Sequence, residues 1–555
     1  MEQSRLLIAI VLSLAIFLAW QFFFRPHEPV RHQAKKVESP AVEKKQTVKD
    51  NEKPYKETIE KPAAVEESTV EETPLKEAAT ITVDTPLYQA KISENGAVFY
   101  SFLLKKYHEK VQKDSPLKQI LTGNKTLGVG RLGFTGKSIA GLDKAVFTVD
   151  TPSRQLDVND SPRDLTFLWR SQDGMVIEKT YKFAPDTYAI GMQVIIKNGS
   201  GRAIQDRLFV ALNSKAPHGK RRYAFEGPSA FINDKLQEIQ TKKIKDHDTF
   251  DGKIKWVALQ SRYFMAGLIP VQIEEASLHL ALKSDEFVSA QYRQPEKAIP
   301  PGTQGTYNYQ LFMGPKSMKE LKPIGNDLDK LIDFGWFDFI AKPCVWLMNL
   351  FYSVIPNYGV AIIILTILVK LLLWPLGQKS YKSMSEMKKI QPLMKEIREK
   401  YKDDKQRMNQ EVMGLYRTYK INPLGGCLPM VVQLPVFFAL YRMLYEAIEL
   451  RHAPFFLWID DLSAPDRLFR FDFAIPFMQP PYGIPVLTIV MGASMLLQQK
   501  MSPPMGDATQ AKMMMFMPII FTVIFINFSS GLVLYWLVNN ILSIAQQYYT
   551  QKKYA

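Results

Sequence analysis

The stretch Tyr358 to Gly377, YGVAIIILTILVKLLLWPLG, is apolar throughout except for Thr366 and Lys370 inside the run. A helix of this length rises about 30 Å, one hydrocarbon thickness of a bilayer. A lysine within such a helix costs about 2.5–3.5 kcal/mol on insertion scales, so it normally faces a partner or a wet cavity. On a helix Thr366, Lys370 and Trp374 share one face at four-residue spacing, and that face is polar, basic and aromatic. The plainer alternative is that Lys370 snorkels to the interface, about 10 Å away past Gly377.

The rest of the chain divides around this helix. Of its 23 methionines, 17 lie beyond residue 343, together with most of the long apolar runs. The net charge of +15 fits nucleic acid or an anionic membrane surface. No zinc-finger spacing, RNP-like strand or base-reading basic helix is present, so the membrane reading is preferred and no specific nucleic-acid partner is expected. The two cysteines, Cys344 and Cys427, are expected on opposite faces of the membrane, too far apart to pair.

In chain order, residues 1–25 carry the run Leu6 to Phe24, which ends in Trp20 and Phe22 to Phe24. That aromatic end suits an interfacial anchor better than a cleavage site, so we expect an uncleaved signal-anchor helix. Residues 26–80 are rich in Lys, Glu, Pro, Ala, Thr and Val, the composition of a disordered linker. Residues 81–322 alternate in runs such as AVFYSFLL and MVIEKTYKF, with Asn95-Gly96 and Asp173-Gly174 as turn signals. Strand follows strand without helical interludes, which predicts a large antiparallel β-sandwich. Its acids Asp84, Glu178, Asp186 and Glu226 either form a sugar cleft or are solvated strand edges, the commoner fate. Residues 323–356 carry Leu328, Leu331, Ile332, Trp336, Phe339 and Ile340 near helical spacing, with Asp327 as N-cap. This reads as an amphipathic helix in the membrane interface, or else as one packed on the sandwich.

Transmembrane helix 2 is placed at 357–377 and a charged helical hairpin at 378–420. Its stripes are Ile390, Met394, Ile397, Tyr401 and Met408, Val412, Leu415, Tyr419, broken at Lys402-Asp403-Asp404. The hairpin has twelve basic against six acidic side chains, so the positive-inside rule puts it in the cytoplasm. Further spans are placed at 424–445, 481–500, 513–528 and 531–549. The loop 446–480 has six acids against three arginines and is assigned to the outer side, and the loop 501–512 to the inner. Both termini are then cytoplasmic and the β-domain periplasmic. Polar residues inside the spans, including Gln433, Asn539 and Asn540, read as helix–helix glue. Several spans are short, which thins the surrounding bilayer.

INPLGGCLPMVVQLPVF (421–437), LRHAPFFLWIDDLSAPD (450–466), QKMSPP (499–504), MMMFMPIIFTVIF (513–525) and SSGLVLYWLVNNI (529–541) resemble the YidC membrane-protein insertases of Gram-negative bacteria. The resemblance covers nearly the whole chain. It implies a five-helix transmembrane core around a hydrophilic groove, open to the cytoplasm and lipid and closed to the periplasm. The groove's basic residue is usually arginine in that family; here Lys370 keeps the charge but loses the planar five-donor fork. Phe437, Ile524 and Trp536 are implied to line the path of the substrate, and we place Thr366, Gln433 and Tyr535 in the same groove. The family's exported domain resembles a sugar-mutarotase sandwich, which does not give it that activity.

The expected function is therefore insertion and chaperoning of nascent membrane proteins in the bacterial inner membrane, alone or with the secretion translocon and the ribosome. No cofactor is implied, since no GxxxxGK[ST] occurs. A carbohydrate-acting or hydrolytic membrane-anchored enzyme is the first rival, but G-x-S-x-G and HExxH are absent and the only histidine past residue 343 is His452. A secondary transporter is the second; it predicts paired broken helices in repeated halves, and neither is visible.

Overall fold

The computed structural model describes residues 78–554 apart from 113, 122, 124, 150, 152, 216–223, 245–246, 285–286, 420–427 and 503–507. The expected signal-anchor helix, nearly all of the linker, and Cys427 lie outside the described residues. Cys344 is free and buried.

Alternation builds the β-domain. In Met175–Phe183 the side chains of Met175, Ile177, Lys179, Tyr181 and Phe183 point inward while their neighbours are partly or fully exposed. A five-stranded sheet and a thirteen-stranded sheet result. Pairing is antiparallel, except that Thr82–Asp84 runs parallel to Gln155–Asp157. Aromatic rings join the two sheets: Phe99 lies 4.7 Å from Tyr181 and Tyr88 lies 6.4 Å from Tyr188. The expected turns at Asn95-Gly96 and Asp173-Gly174 are present, with Gly96 at φ 73° and Gly174 at φ 82°, a backbone that favours glycine. One inward position holds a charge. The Lys179 ammonium donates to the carbonyls of Gly96 (3.2 Å), Ala97 (2.7 Å) and Gly130 (2.5 Å), which replace its water. Burial, and secondarily Arg131, push it well below the ordinary lysine pKa.

The segment 323–356 is not one helix. Asp327 is in left-handed backbone (φ 57°) and caps nothing; its carboxylate pairs with Lys255 at 2.5 Å. Leu328 and Leu331 instead form a short 3-10 turn buried against the β-domain. The helix proper is α1 (Asp338–Val354), which exposes Phe339, Trp346, Leu350 and Val354. The first half of the segment thus packs on the sandwich as a short turn, and the second half is a helix with an exposed apolar face.

The helical region continues with α2 (Tyr358–Leu372), α3 (Trp374–Lys389), α4 (Gln391–Lys400), α5 (Lys405–Thr418), α6 (Leu428–Glu446), α7 (Val486–Met501), α8 (Ala508–Phe525) and α9 (Ser530–Tyr554). Asn357 caps α2 by accepting from Val360 N at 3.1 Å. The helix expected over 357–377 breaks at Leu373, and α2 and α3 meet at a 64° bend. Pro375 supplies the cause, since it lacks the N–H that would continue the ladder and disfavours helix before it. Among the described residues no single helix is long and apolar enough to cross a membrane; α2 and α3 together are, as a bent pair. Helix α9 packs on α2, α3, α6 and α7. The hairpin breaks where expected, and Asp404 caps α5 by accepting from Arg407 N. Its core is only Met387, Ile390 and Met394 against Val412, Leu415 and Tyr416, with Tyr419 exposed.

The β-domain is fastened to the helices. Arg262 donates through Nε to Tyr445 O at 2.9 Å, and its guanidinium lies 3.7 Å from the centre of the Tyr445 ring. Arg451, just past α6, donates to His108 O at 2.5 Å and lies over Phe264.

Candidate functional site: a polar seam beside Lys370

The inner faces of α2, α6 and α9 meet along a line of polar side chains. Lys370 is partly buried, and its Nζ donates to Ser543 Oγ at 2.6 Å. Ser543 in turn donates to Asn539 O, one turn back on α9, at 2.7 Å. Asn539 Oδ1 accepts from Gln433 Nε2 of α6 at 3.1 Å, and Gln433 also bonds Tyr535. Among the described residues no carboxylate pairs with Lys370. The cation is thus held by one neutral hydroxyl, which satisfies one of its three donors.

The seam runs on along α9. Asn540 donates to Ser494 of α7 at 3.0 Å, and Gln546 donates to Trp374 O at 2.9 Å. Gln546, Gln547 and Thr550 are buried, and the amide oxygens of both glutamines are without a hydrogen-bond partner among the described residues. Such atoms in a helical interior demand a polar occupant or water.

An aromatic patch adjoins the seam. Phe437 of α6 meets Trp536 of α9 edge to face at 4.7 Å, and Phe525 of α8 lies 5.0 Å from the same indole. Ile524, the residue before Phe525, is half exposed on α8. Tyr535 is buried beside Trp536.

Of the seven residues expected in a groove, Lys370, Gln433 and Tyr535 are joined by the chain of bonds through Ser543 and Asn539, and Phe437 touches Trp536. Ile524 makes neither contact. Thr366 is buried and donates back to Ile362 O at 2.6 Å, so its hydroxyl is already committed within α2. Trp374 lies beyond the bend and does not extend the Thr366–Lys370 face. Among the described residues the acids named for a sugar cleft do not gather into one. Asp84 pairs with Lys105 and Glu178 with Lys197 on different sheets, while Asp186 is exposed in a turn. A groove of the β-domain, about 700 Å³, is lined by Arg131, Phe209, Gln291 and Arg293 and by none of those four acids.

Two protein families match this chain, the YidC periplasmic domain over residues 80–347 and the 60Kd inner membrane protein over residues 350–555. Across the full length it is 41% identical to the membrane protein insertase YidC of Syntrophus aciditrophicus, covering 99% of both chains. It is 39% identical to that of Syntrophobacter fumaroxidans, covering 99% of this chain and 100% of the other. The chain belongs to the YidC membrane protein insertases. A solved structure described as an active YidC insertase aligns over 86% of this chain and 93% of its own at 18% identity, with a TM-score of 0.37.

The family boundary between residues 347 and 350 falls inside α1, so the polar seam lies wholly in the inner-membrane part and the four β-domain acids in the periplasmic part. Sequence reasoning missed Ser543, Gln546 and Gln547. The signal was there: Asn539, Ser543, Gln546, Gln547 and Thr550 recur at three- and four-residue spacing on one face of α9. Serine and glutamine near a helix end read as ordinary interfacial residues until α9 is seen to continue to Tyr554.

Proposed function

We propose that this chain inserts nascent membrane proteins into the bacterial inner membrane, with the seam from Lys370 to Gln547 as the path for the client's polar tail. The observation that carries the reading is a buried polar seam with an unpaired cation inside helices whose outer faces are apolar. On α8 alone Met515, Phe516, Ile519, Ile520 and Ile524 are each at least half exposed. A surface of that kind belongs in lipid. Moving a polar tail across hydrocarbon is the costly step of insertion. A hydrated seam shortens the apolar distance, and Lys370 attracts an acidic tail. At about 6 Å and an effective dielectric near 20 that attraction contributes about 2–3 kcal/mol. The new helix then leaves past the Phe437–Trp536 patch into lipid, driven by burial of its surface at about 25 cal/mol per Å².

The charge pattern supports the orientation: hairpin 378–420 and both termini in the cytoplasm, loop 446–480 and the β-domain in the periplasm. Helices α2 with α3, α6, α7, α8 and α9 then make up the five-helix core. The secretion translocon and the ribosome are candidate partners, the latter for the basic hairpin. Photocrosslinkers at positions 433, 437 and 536, read during synthesis of a small membrane protein, test the path. Adducts to the nascent chain are expected; adducts to lipid alone from all three positions defeat it.

A further inference from the structure

The loop between α6 and α7 presents large apolar side chains outward from a rigid base. Leu457 is 90% exposed, Phe477 81%, Phe469 72%, Phe473 66% and Phe456 57%. Three of these five, Leu457 (φ 60°), Phe469 (φ 50°) and Phe477 (φ 66°), sit in left-handed backbone. Bulky L-residues adopt that conformation only where the surroundings impose it. Glycine would take the same backbone without strain, yet each position carries a large hydrophobe that makes the chain turn and points away from it. Ordinary core formation explains neither the exposure nor the strain.

The base is not loose. Arg467 is buried and donates to Pro481 O at 2.9 Å and to Ile526 O at 2.8 Å, at the end of α8. Asn527 accepts from Gln479 N at 2.8 Å and donates to Phe477 O at 2.7 Å, gripping the backbone on which Phe477 stands. Phe455 lies against the backbone of Gly359 at the start of α2, where a β-carbon would come within 2.0 Å of its ring. Trp458 donates to Asp466 at 2.5 Å, which also accepts from the N–H of Leu487 in α7. The underside is therefore bonded to α2, α7 and the α8–α9 turn.

What covers the outer side follows from continuity. The short hairpin Leu468–Phe471 with Tyr482–Ile484 leads directly into α7. The exposed side chains run on through Ile484, at the end of that hairpin, to Ile489 and Val490 on the apolar surface of α7. We propose that loop 454–484 is a lipid wedge, seating Leu457, Phe469, Phe473 and Phe477 in the outer leaflet of the membrane that α7 crosses. This rests on the reading of α7 and α8 as membrane-spanning. The loop carries Asp460, Asp461, Asp466 and Asp472 against Arg467 and Arg470. It has no basic surplus to attract anionic headgroups, so apolar contact with acyl chains holds it, and phenylalanine suits that depth. With α7 only 16 residues long, a wedge at this end fixes how deep the short helix sits.

The full chain with Cys344 and Cys427 replaced by alanine, reconstituted in nanodiscs, provides the test. A single cysteine carries an environment-sensitive fluorophore at Leu457→Cys or Phe477→Cys, with Ile520→Cys on α8 as the lipid control and Lys253→Cys on the β-domain as the water control. Because Leu457 and Phe477 are so exposed, neither replacement removes internal packing. Both loop labels are expected to emit to the blue of the water control. Nitroxide lipids labelled near the headgroup should quench them more than lipids labelled at mid-chain, equally in zwitterionic and anionic discs. Unquenched loop labels beside a quenched Ile520→Cys label overturn the wedge while leaving the spans intact, whether they emit like the water control or, under a partner protein or second copy, to the blue of it. Quenching only in anionic discs also overturns it. An unquenched Ile520→Cys label removes the spanning reading itself.

Discussion

At the scale of single residues, Lys370 was legible because charge inside an apolar run is expensive wherever the chain folds. Its partner was not, since the polar face of α9 shows in the sequence only as spacing, and which of its side chains meets the lysine is settled by packing. The pairing makes the proposed role specific. Lys370→Arg is expected to keep insertion, Lys370→Ala to slow acidic-tailed clients by up to about a hundredfold, and Lys370→Glu to be worst. Clients with uncharged tails should change little. Wild-type rates for acidic tails in Lys370→Ala, measured by protease protection of the translocated tail, would reduce the lysine to snorkelling. A second group lies outside the proposed spans. Burial pushes the Glu449 carboxyl above its ordinary pKa, partly countered by a hydrogen bond from Asn349. The folded state therefore binds a proton more readily than the unfolded one. The penalty of the charge is absent below the unfolded pKa and grows as pH rises through the folded one. Glu449→Gln should accordingly raise the thermal midpoint by a few degrees at pH 8, with the gain shrinking towards pH 4.5; a gain independent of pH would mean that charge burial is not its cause.

At the scale of elements, strands were read well because a period of two survives any register. Met175–Phe183 forms where the alternation of MVIEKTYKF places it, and Val98–His108 overlaps AVFYSFLL. Helix ends were read poorly. The break at Leu373 follows from Pro375, but the apolar run continues across it and hides the stop. The expected cap at Asp327 failed because Lys255, distant in sequence, takes the carboxylate. The hairpin was legible as two stripes and a turn, but it closes only at its inner half, around Met387, Ile390, Met394 and Val412. Two helices of 10 and 14 residues sharing so small a core are marginal by themselves. Amide exchange is expected to be fast in α4 and α5 and slow in α2 and α9. Uniformly slow exchange over 391–418 in the isolated protein would contradict that marginal stability.

For the whole molecule, the structure sharpens what the β-domain does. The polar seam and the aromatic patch lie entirely beyond residue 350, so removing the sandwich takes nothing from the proposed path. Yet the domain is not a free appendage. Arg262 and Arg451 bond across the junction, and Leu328, Leu331 and Ile332 are buried against the sandwich. No composition or spacing announced this, because one arginine reaching a carbonyl 183 positions away is a tertiary event. Deleting residues 50–300 is therefore expected to have two separable effects. Insertion of a short client persists, since Lys370, Ser543, Gln433, Phe437 and Trp536 keep their mutual contacts. Thermal stability falls, since Tyr445, Phe264's partner Arg451 and the 328–332 turn lose what covers them. The pair Arg262→Ala and Arg451→Ala reproduces the second effect without deletion, visible as faster proteolysis between residues 315 and 338 at unchanged insertion. If the deletion abolishes insertion at normal membrane levels while the double alanine variant does not, the sandwich itself handles clients, and the groove between Arg131 and Arg293 becomes the place to look for them.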